Sequence, residues 1–358
     1  MPSPPEPAPG FVHRLRGALG RGLARLPEAL LRRLPPVVVD GQTLDPSLRL
    51  LLMLRPARHA APLTHGTPEA ARARLRRDVL GLAGRPTPVG AVRELVLAAG
   101  LRARHYAPPA EGADAPLLVY FHGGGHVLGD LDTVDEPCRL LCLHGRQHVV
   151  SVAYRLAPEH PAPAGLEDAL TALRWAQAHA ARLGADPGRV AVGGDSAGAN
   201  LAAVVAQQTR GDRPPAAQLL FYPPTDRTRA YRSARLFDGY LLRVADRDRF
   251  HAYYTAGTGI PPEDPRVSPL CAPRLGGLPP ALVVVAGFDV LRDEAEAYGA
   301  ALRAAGVPAE VVRETSMPHG FLHLTSASRA ARAAAVGAAR RWRRLLDRYV
   351  SAGHADAA

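Results

Sequence analysis

The feature that most limits the architecture is an alternation running from Val92 to about His319. A short apolar run, a few turn residues and a longer stretch of helical periodicity follow one another repeatedly. The apolar runs lie at residues 117–121, 149–153, 189–193, 218–222 and 281–286, with a weaker one at 309–312. Continuous apolar strands are buried on both faces, which requires a parallel sheet covered by helices on each side. Stretches such as 166–183, 199–208 and 292–305 supply the crossovers. Residues 92–97 and 101–106, joined through Ala98-Ala99-Gly100, read as an opening antiparallel hairpin, and 328–349 as the last helix. The expectation is one doubly wound α/β domain over residues 91–350 without internal repeat. Residues 1–90 read as a helical region broken by Pro and Gly, and 351–358 as a tail.

Composition excludes several function classes. A chain of 358 residues exceeds the soft norm of ~150 per domain, but single α/β units often do. No stretch approaches the roughly 18 consecutive apolar residues of a membrane-spanning helix. The start, Met1-Pro2-Ser3-Pro4-Pro5, and the Arg-rich segment after it lack the apolar core of a secretory signal, so the expectation is a cytoplasmic enzyme. Cys138, Cys142 and Cys271 are too few for a disulfide framework. The net charge of +11 is carried entirely by Arg, scattered and with acidic neighbours, while Lys is absent. With few aromatics for base stacking and no reading motif, a nucleic-acid partner is not expected.

The chemistry falls at the ends of the strands. Gly194-Asp195-Ser196-Ala197-Gly198 follows one apolar run directly and leads into the segment Ala199-Asn200-Leu201. G-x-S-x-G alone is weak, but a strand–Ser–helix turn puts a nucleophile on a crowded bend, with glycines where neighbouring backbone must come close. A second motif, His122-Gly123-Gly124-Gly125, follows the 117–121 run. Consecutive glycines expose backbone N–H groups, as an oxyanion hole requires. Gly123 and Gly124, with the N–H of Ala197, are the expected donors, and His122 and Gly125 the supports of the loop. A phosphate-cradling loop would need a G-x-x-x-x-G-K-[ST] spacing, which is missing.

A nucleophilic serine needs a base, and the base an orienting carboxylate. After a strand–Ser–helix turn of this kind the chain order is Ser, acid, His. The 281–286 run is followed by Gly287-Phe288-Asp289, which makes Asp289 the preferred acid, with Asp293 as the alternative. Asp293 and Glu294 already begin a helix, where acidic residues are common for dipole and capping reasons. Among the later histidines, His319 sits in a Pro/Gly loop after the last strand and is preferred as base. His323 falls where the final helical region forms, and His354 in the tail.

These residues together resemble the hormone-sensitive-lipase-like (bacterial family IV) esterases of the α/β-hydrolase superfamily. The matching pieces are His122–Gly125, Gly129-Asp130-Leu131-Asp132, Tyr154-Arg155-Leu156-Ala157-Pro158-Glu159-His160, Gly194–Gly198, Asp289–Asp293 and His319-Gly320-Phe321. A looser echo lies at Asp40–Pro46. The resemblance implies an α/β-hydrolase fold, a mostly parallel central sheet flanked by helices. It implies a helical cap built from N-terminal helices and an insertion near residues 225–260. It further implies Ser196, Asp289 and His319 as triad and hydrolysis of short- to medium-chain acyl esters without metal or organic cofactor. Family members are often dimers, so a homodimer is a candidate assembly. Asp195 resembles the branch with Asp before the serine and is, with His126, a candidate pocket residue. His126 stands where the family often has an aromatic, and a structural imidazole is the preferred reading of it. Asp289-Val290-Leu291 departs from the usual Asp-Pro-Leu, and the N-terminal region is longer than the family needs.

Two rivals remain open: an amidase, deacetylase or peptidase sharing the triad, and a non-catalytic ligand-binding relative, against which the complete triad argues. At the N-terminus, Phe11, Leu15, Leu19, Leu23 and Leu26 recur at helical spacing, with Arg14, Arg16, Arg21 and Arg25 between them. A cap helix is the preferred reading, and weak association with anionic membrane surfaces the alternative. Gly17, Gly20 and Gly22 weaken both.

Overall fold

The computed structural model describes residue 22 and residues 26–31, 33–53, 62–109 and 115–350. Most of the N-terminal amphipathic segment, and the tail with His354, lie outside these. The described chain opens with α1 (Glu28–Leu31), a small hairpin of β1 (Val38–Val39) and β2 (Gln42–Thr43), then α2 (Pro46–Met53) and α3 (Pro68–Leu82). There follow β3 (Ala91–Val96), β4 (Arg102–Ala107), β5 (Ala115–Phe121), α4 (Asp135–Gly145) and β6 (His148–Val152). The chain continues through α5 (Ala164–His179), β7 (Ala185–Asp195), α6 (Ala197–Gln208) and β8 (Gln218–Phe221). It ends with α7 (Arg232–Leu236), α8 (Val244–Tyr254), β9 (Ala281–Phe288), α9 (Arg292–Ala304), β10 (Ala309–Pro318) and α10 (Arg329–Tyr349).

Strands β3 to β10 form one sheet of eight, in the order β10-β9-β8-β7-β5-β6-β4-β3. The six strands from β10 to β6 are parallel neighbours, while β3 and β4 pair antiparallel with each other and β4 with β6. Side chains alternate across each strand and so feed two cores. Leu117, Val119 and Phe121 of β5 join the core under α5, α6 and α9. Leu118 and Tyr120 join the opposite core, under α4 and α10. The opening hairpin and the crossovers fall where the sequence places them. The crossover α4 had no such expectation, and its Cys138 and Cys142 are buried free thiols within the second core. Strand β10 runs to Pro318, well beyond its short apolar run, because an edge strand needs apolar residues only at alternate positions.

A third, smaller core lies beyond the carboxyl ends of the strands. Ala71 and Leu75 of α3 meet Phe250 and Tyr254 of α8 there, together with Val127, Leu128, Val290 and Leu291. Two helices, α7 and α8, fall within residues 225–260, where a cap insertion is expected. Among the described residues no helix is long and apolar enough to cross a membrane.

The second core is anchored by α10, whose buried stripe runs from Ala331 through Ala335 and Ala338 to Trp342 and Leu346. Ser328 starts this helix by accepting the Ala331 N–H at 3.2 Å. Trp342 is fully buried, and its indole N–H donates to Gln147 Oε1 at 2.8 Å. Trp342→Ala is expected to cost about 3–5 kcal/mol, seen as a lower urea midpoint at unchanged slope. A loss under about 1 kcal/mol would show that the helix is not fixed by this residue.

Candidate active site

Strand β7 ends at Asp195 and α6 begins at Ala197, so a single residue must turn the chain. That residue is Ser196, with φ +52 and ψ −121. A side chain other than glycine in this region costs about 1–3 kcal/mol and persists only where its surroundings enforce it. The Ser196 N–H donates to the Phe221 carbonyl at 2.9 Å, and the Asn200 N–H to the Ser196 carbonyl at 3.0 Å. Asn200 Nδ2 also reaches the carbonyls of Pro224 (2.9 Å) and Val267 (3.1 Å). The glycines on either side are there for space. A Cβ on Gly194 or Gly198 would run into the Phe121 carbonyl.

The bend aims Ser196 Oγ at His319, whose Nε2 lies 3.0 Å away. On the other side of the ring, Nδ1 is 2.7 Å from Asp289 Oδ2. Asp289 is 1% exposed, and its other oxygen accepts the Leu291 N–H at 2.9 Å. With a carboxylate on Nδ1, that nitrogen carries the proton and Nε2 is left with a lone pair facing the hydroxyl. Asp293 is turned elsewhere. It accepts the Ser233 N–H at 2.8 Å and pairs with Arg292 at 2.8 Å. Glu294 accepts the Thr225 N–H at 2.8 Å, and burial pushes its pKa up to about 7.

The glycine loop corrects one expectation. The Gly123 N–H is not free, because it donates to Asp195 Oδ1 at 3.0 Å. The N–H groups of Gly124, Gly125 and Ala197 have no partner among the described residues. Gly124 has φ +118, which the loop needs to turn back so that its carbonyl receives the Val127 and Leu128 N–H groups at 3.1 and 2.8 Å. His122 holds the loop from behind. Its Nδ1 lies 2.8 Å from the Gly123 carbonyl, its own carbonyl accepts Tyr154 O–H at 2.7 Å, and the two rings stack at 4.4 Å. Burial lowers the His122 pKa, so the ring is neutral and Nδ1 donates to that carbonyl.

Asp195 likewise does not line a pocket. It is 1% exposed beneath the bend, where it accepts Tyr120 O–H at 2.9 Å as well as the Gly123 N–H. His126 sits in the third core region, 2% exposed, stacked on Tyr254 at 3.8 Å. Burial pushes its pKa well below the ordinary imidazole value, which keeps it neutral.

Three contributors were not legible as such. Arg72 of α3 donates to the carbonyls of Val127 (2.7 Å) and Ala157 (2.8 Å) and grips Glu159 with both ends of its guanidinium. Arg76, one turn on, pairs with Asp130 at 2.6 Å and also with Asp132. Their i, i+4 spacing on one helix face was the available signal, hidden among many other arginines. His323 lies in a tight turn at Phe321–Leu324, ahead of α10, with Nε2 3.3 Å from Asp195 Oδ2.

Comparison with known proteins places the whole chain. A family profile described as alpha/beta hydrolase fold matches residues 118–323. Carboxylic ester hydrolase LipN of Mycobacterium tuberculosis is 49% identical over 300 residues, covering 80% of this chain and 79% of that protein. Carboxylesterase NlhH of the same organism is 40% identical over 289 residues, covering 78% and 89%. An alpha/beta hydrolase enzyme from the metagenome of Lake Arreo, Spain, solved as a crystal structure, superposes with a TM-score of 0.80 at 38% identity, covering 85% of this chain and 99% of that one. The chain belongs to the α/β-hydrolase superfamily, among its hormone-sensitive-lipase-like carboxylic ester hydrolases.

Proposed function

We propose that this chain is a serine carboxylesterase that hydrolyses short- to medium-chain acyl esters through an acyl-enzyme intermediate. The observation that carries this reading is the hydrogen-bonded series Ser196 Oγ, His319 and Asp289, at 3.0 and 2.7 Å. Ser196 Oγ attacks the ester carbonyl carbon while His319 Nε2 takes its proton, and Asp289 stabilises the imidazolium that forms. The carbonyl oxygen becomes an anion, received by the N–H groups of Gly124, Gly125 and Ala197, the last reinforced by the N-terminus of α6. This replaces the expected set in which Gly123 was a donor. Collapse expels the alcohol, which takes the proton from His319. A water activated by the same ring then releases the acid and restores Ser196. Each donor is worth about 3–4 kcal/mol in comparable sites.

The substrate range rests on the family and on the cap, formed in this reading by α3 with the 225–260 segment. Phe250 of α8 packs on Gly125 and Tyr254 on His126, which restricts the space beside the glycine loop.

Ser196→Ala should lower ester hydrolysis by ~10³-fold or more in a folded protein, with His319→Ala close behind, because the residues act as a unit. A variant keeping over about a tenth of the activity overturns the assignment. Activity should also fall on acidification through a single-proton step, since a protonated His319 cannot accept the serine proton. A kcat/KM that stays flat down to about pH 4 would require another mechanism. Deleting residues 1–35 tests the N-terminal segment. As part of the cap, its loss should lower the melting temperature or the activity on soluble esters. Unchanged activity with lost binding to anionic vesicles would assign it to a membrane surface instead.

A further inference from the structure

The unused histidine beneath the site has an unusual set of neighbours. His323 Nδ1 lies 3.1 Å from the Thr133 carbonyl oxygen, and Nε2 lies 3.3 Å from Asp195 Oδ2. The carbonyl can only accept, and so can Asp195 when ionised, so each ring nitrogen then needs a proton to bond. A neutral imidazole carries one N–H and would turn a lone pair against one of those oxygens. Asp195 has the matching problem. It is 1% exposed and its Oδ1 already takes Tyr120 O–H and the Gly123 N–H. A buried carboxylate is costly unless paired.

Resting on the serine-esterase reading for its kinetic consequence, we propose that His323 is a positioning residue: as an imidazolium paired with Asp195, it fixes the carboxylate that holds Gly123 and thereby sets the oxyanion loop. Asp195 is adjacent in sequence to Ser196 and bonded to the loop that would receive the oxyanion, so one carboxylate sets both halves of the site. The fit is close, since a Cβ on Gly123 would run into Asp195. Any shift of the carboxylate is passed to Gly124 and Gly125.

The surrounding charges support the doubly protonated ring. Burial acts to lower the His323 pKa, but the hydrogen bond and charge of Asp195, with the Thr133 carbonyl, outweigh it and hold the value above the ordinary one. For Asp195, burial acts upward, and the hydrogen bonds of His323 and Tyr120 with the His323 charge outweigh it, leaving a depressed pKa. Of the other groups facing the pair, Tyr120, Tyr222, Tyr154 and Cys138 are pushed far up by burial and stay neutral, and His122 is pushed down, by burial and further by His323. A raised histidine pKa means that the pair is intact at lower pH and is lost as pH rises through that value. The proposal therefore puts an alkaline limb on kcat, separate from the acid limb of His319.

The test combines kinetics with a measurement that needs no activity. His323→Leu removes the donor and is expected to lower kcat about tenfold or more with little change in KM, because the loop acts on the transition state. His323→Gln offers Asp195 a donor that does not titrate. It should recover most of kcat and lose the alkaline step. In full-length protein labelled with ¹⁵N-histidine, the His323 ring should carry both protons near about pH 7 and titrate at higher pH than in Asp195→Asn. A singly protonated ring near neutrality overturns the proposal whether or not Ser196 proves to be the nucleophile. So does an alkaline limb that persists in His323→Gln, or a His323→Leu variant within about twofold of wild-type kcat. If instead Ser196→Ala keeps its activity while the ring is doubly protonated, the catalytic reading fails and the ion pair stands.

Discussion

The site depends on one backbone turn. Ser196 is held at φ +52 between the end of β7 and the start of α6, which fixes where its hydroxyl points. The turn is tolerable because its surroundings are rigid. Its N–H is tied to the next strand through the Phe221 carbonyl, and Gly194 and Gly198 let the Phe121 carbonyl approach closely from the strand on the other side. The strain of one residue is thus spread over three neighbouring parallel strands, each buried on both faces.

The same parallel order brings the other two side chains in. Asp289 directly follows β9 and His319 directly follows β10, so both emerge from the carboxyl edge of the sheet, where Ser196 also lies. His319 lies 123 residues beyond Ser196, and Asp289 30 residues before His319. Neither separation matters, because the β8–β9 and β9–β10 registers fix where each strand ends. Long crossovers are the cost of such a sheet, and strand-end loops that converge are what it provides.

This explains which parts could be read in advance. Strand runs, the glycine-flanked serine and the Pro/Gly loop holding His319 are local patterns, and they lie where the pattern put them. Which glycine N–H stays free is not local. It is decided by Asp195, 72 residues away, whose carboxylate takes the Gly123 N–H and moves the available donors one residue along. A count of glycines carries no trace of that. His323 was passed over for a similar reason, since its surroundings suggested the start of a helix. A short helical turn at Phe321–Leu324 does form there, ahead of α10, and from it the ring faces back under Ser196. Arg72 and Arg76 resemble the other arginines until α3 is seen lying against the loop.

The glycine loop therefore sits between two supports of different kinds. From below, Asp195, Tyr120 and His122 hold it through hydrogen bonds in a fully buried setting, where a lost partner leaves an unsatisfied polar group. From above, Phe250 and Arg72 hold it through the small third core and through a guanidinium that is a quarter exposed, at 26%. Ion pairs that open to water contribute about 0–1 kcal/mol, so the Arg72–Glu159 contact adds little by itself. The two carbonyls that Arg72 also binds, those of Val127 and Ala157, matter more because they belong to the loops being fixed. The loop is thus fixed mainly by buried hydrogen bonds from beneath and by apolar packing with Phe250 from above.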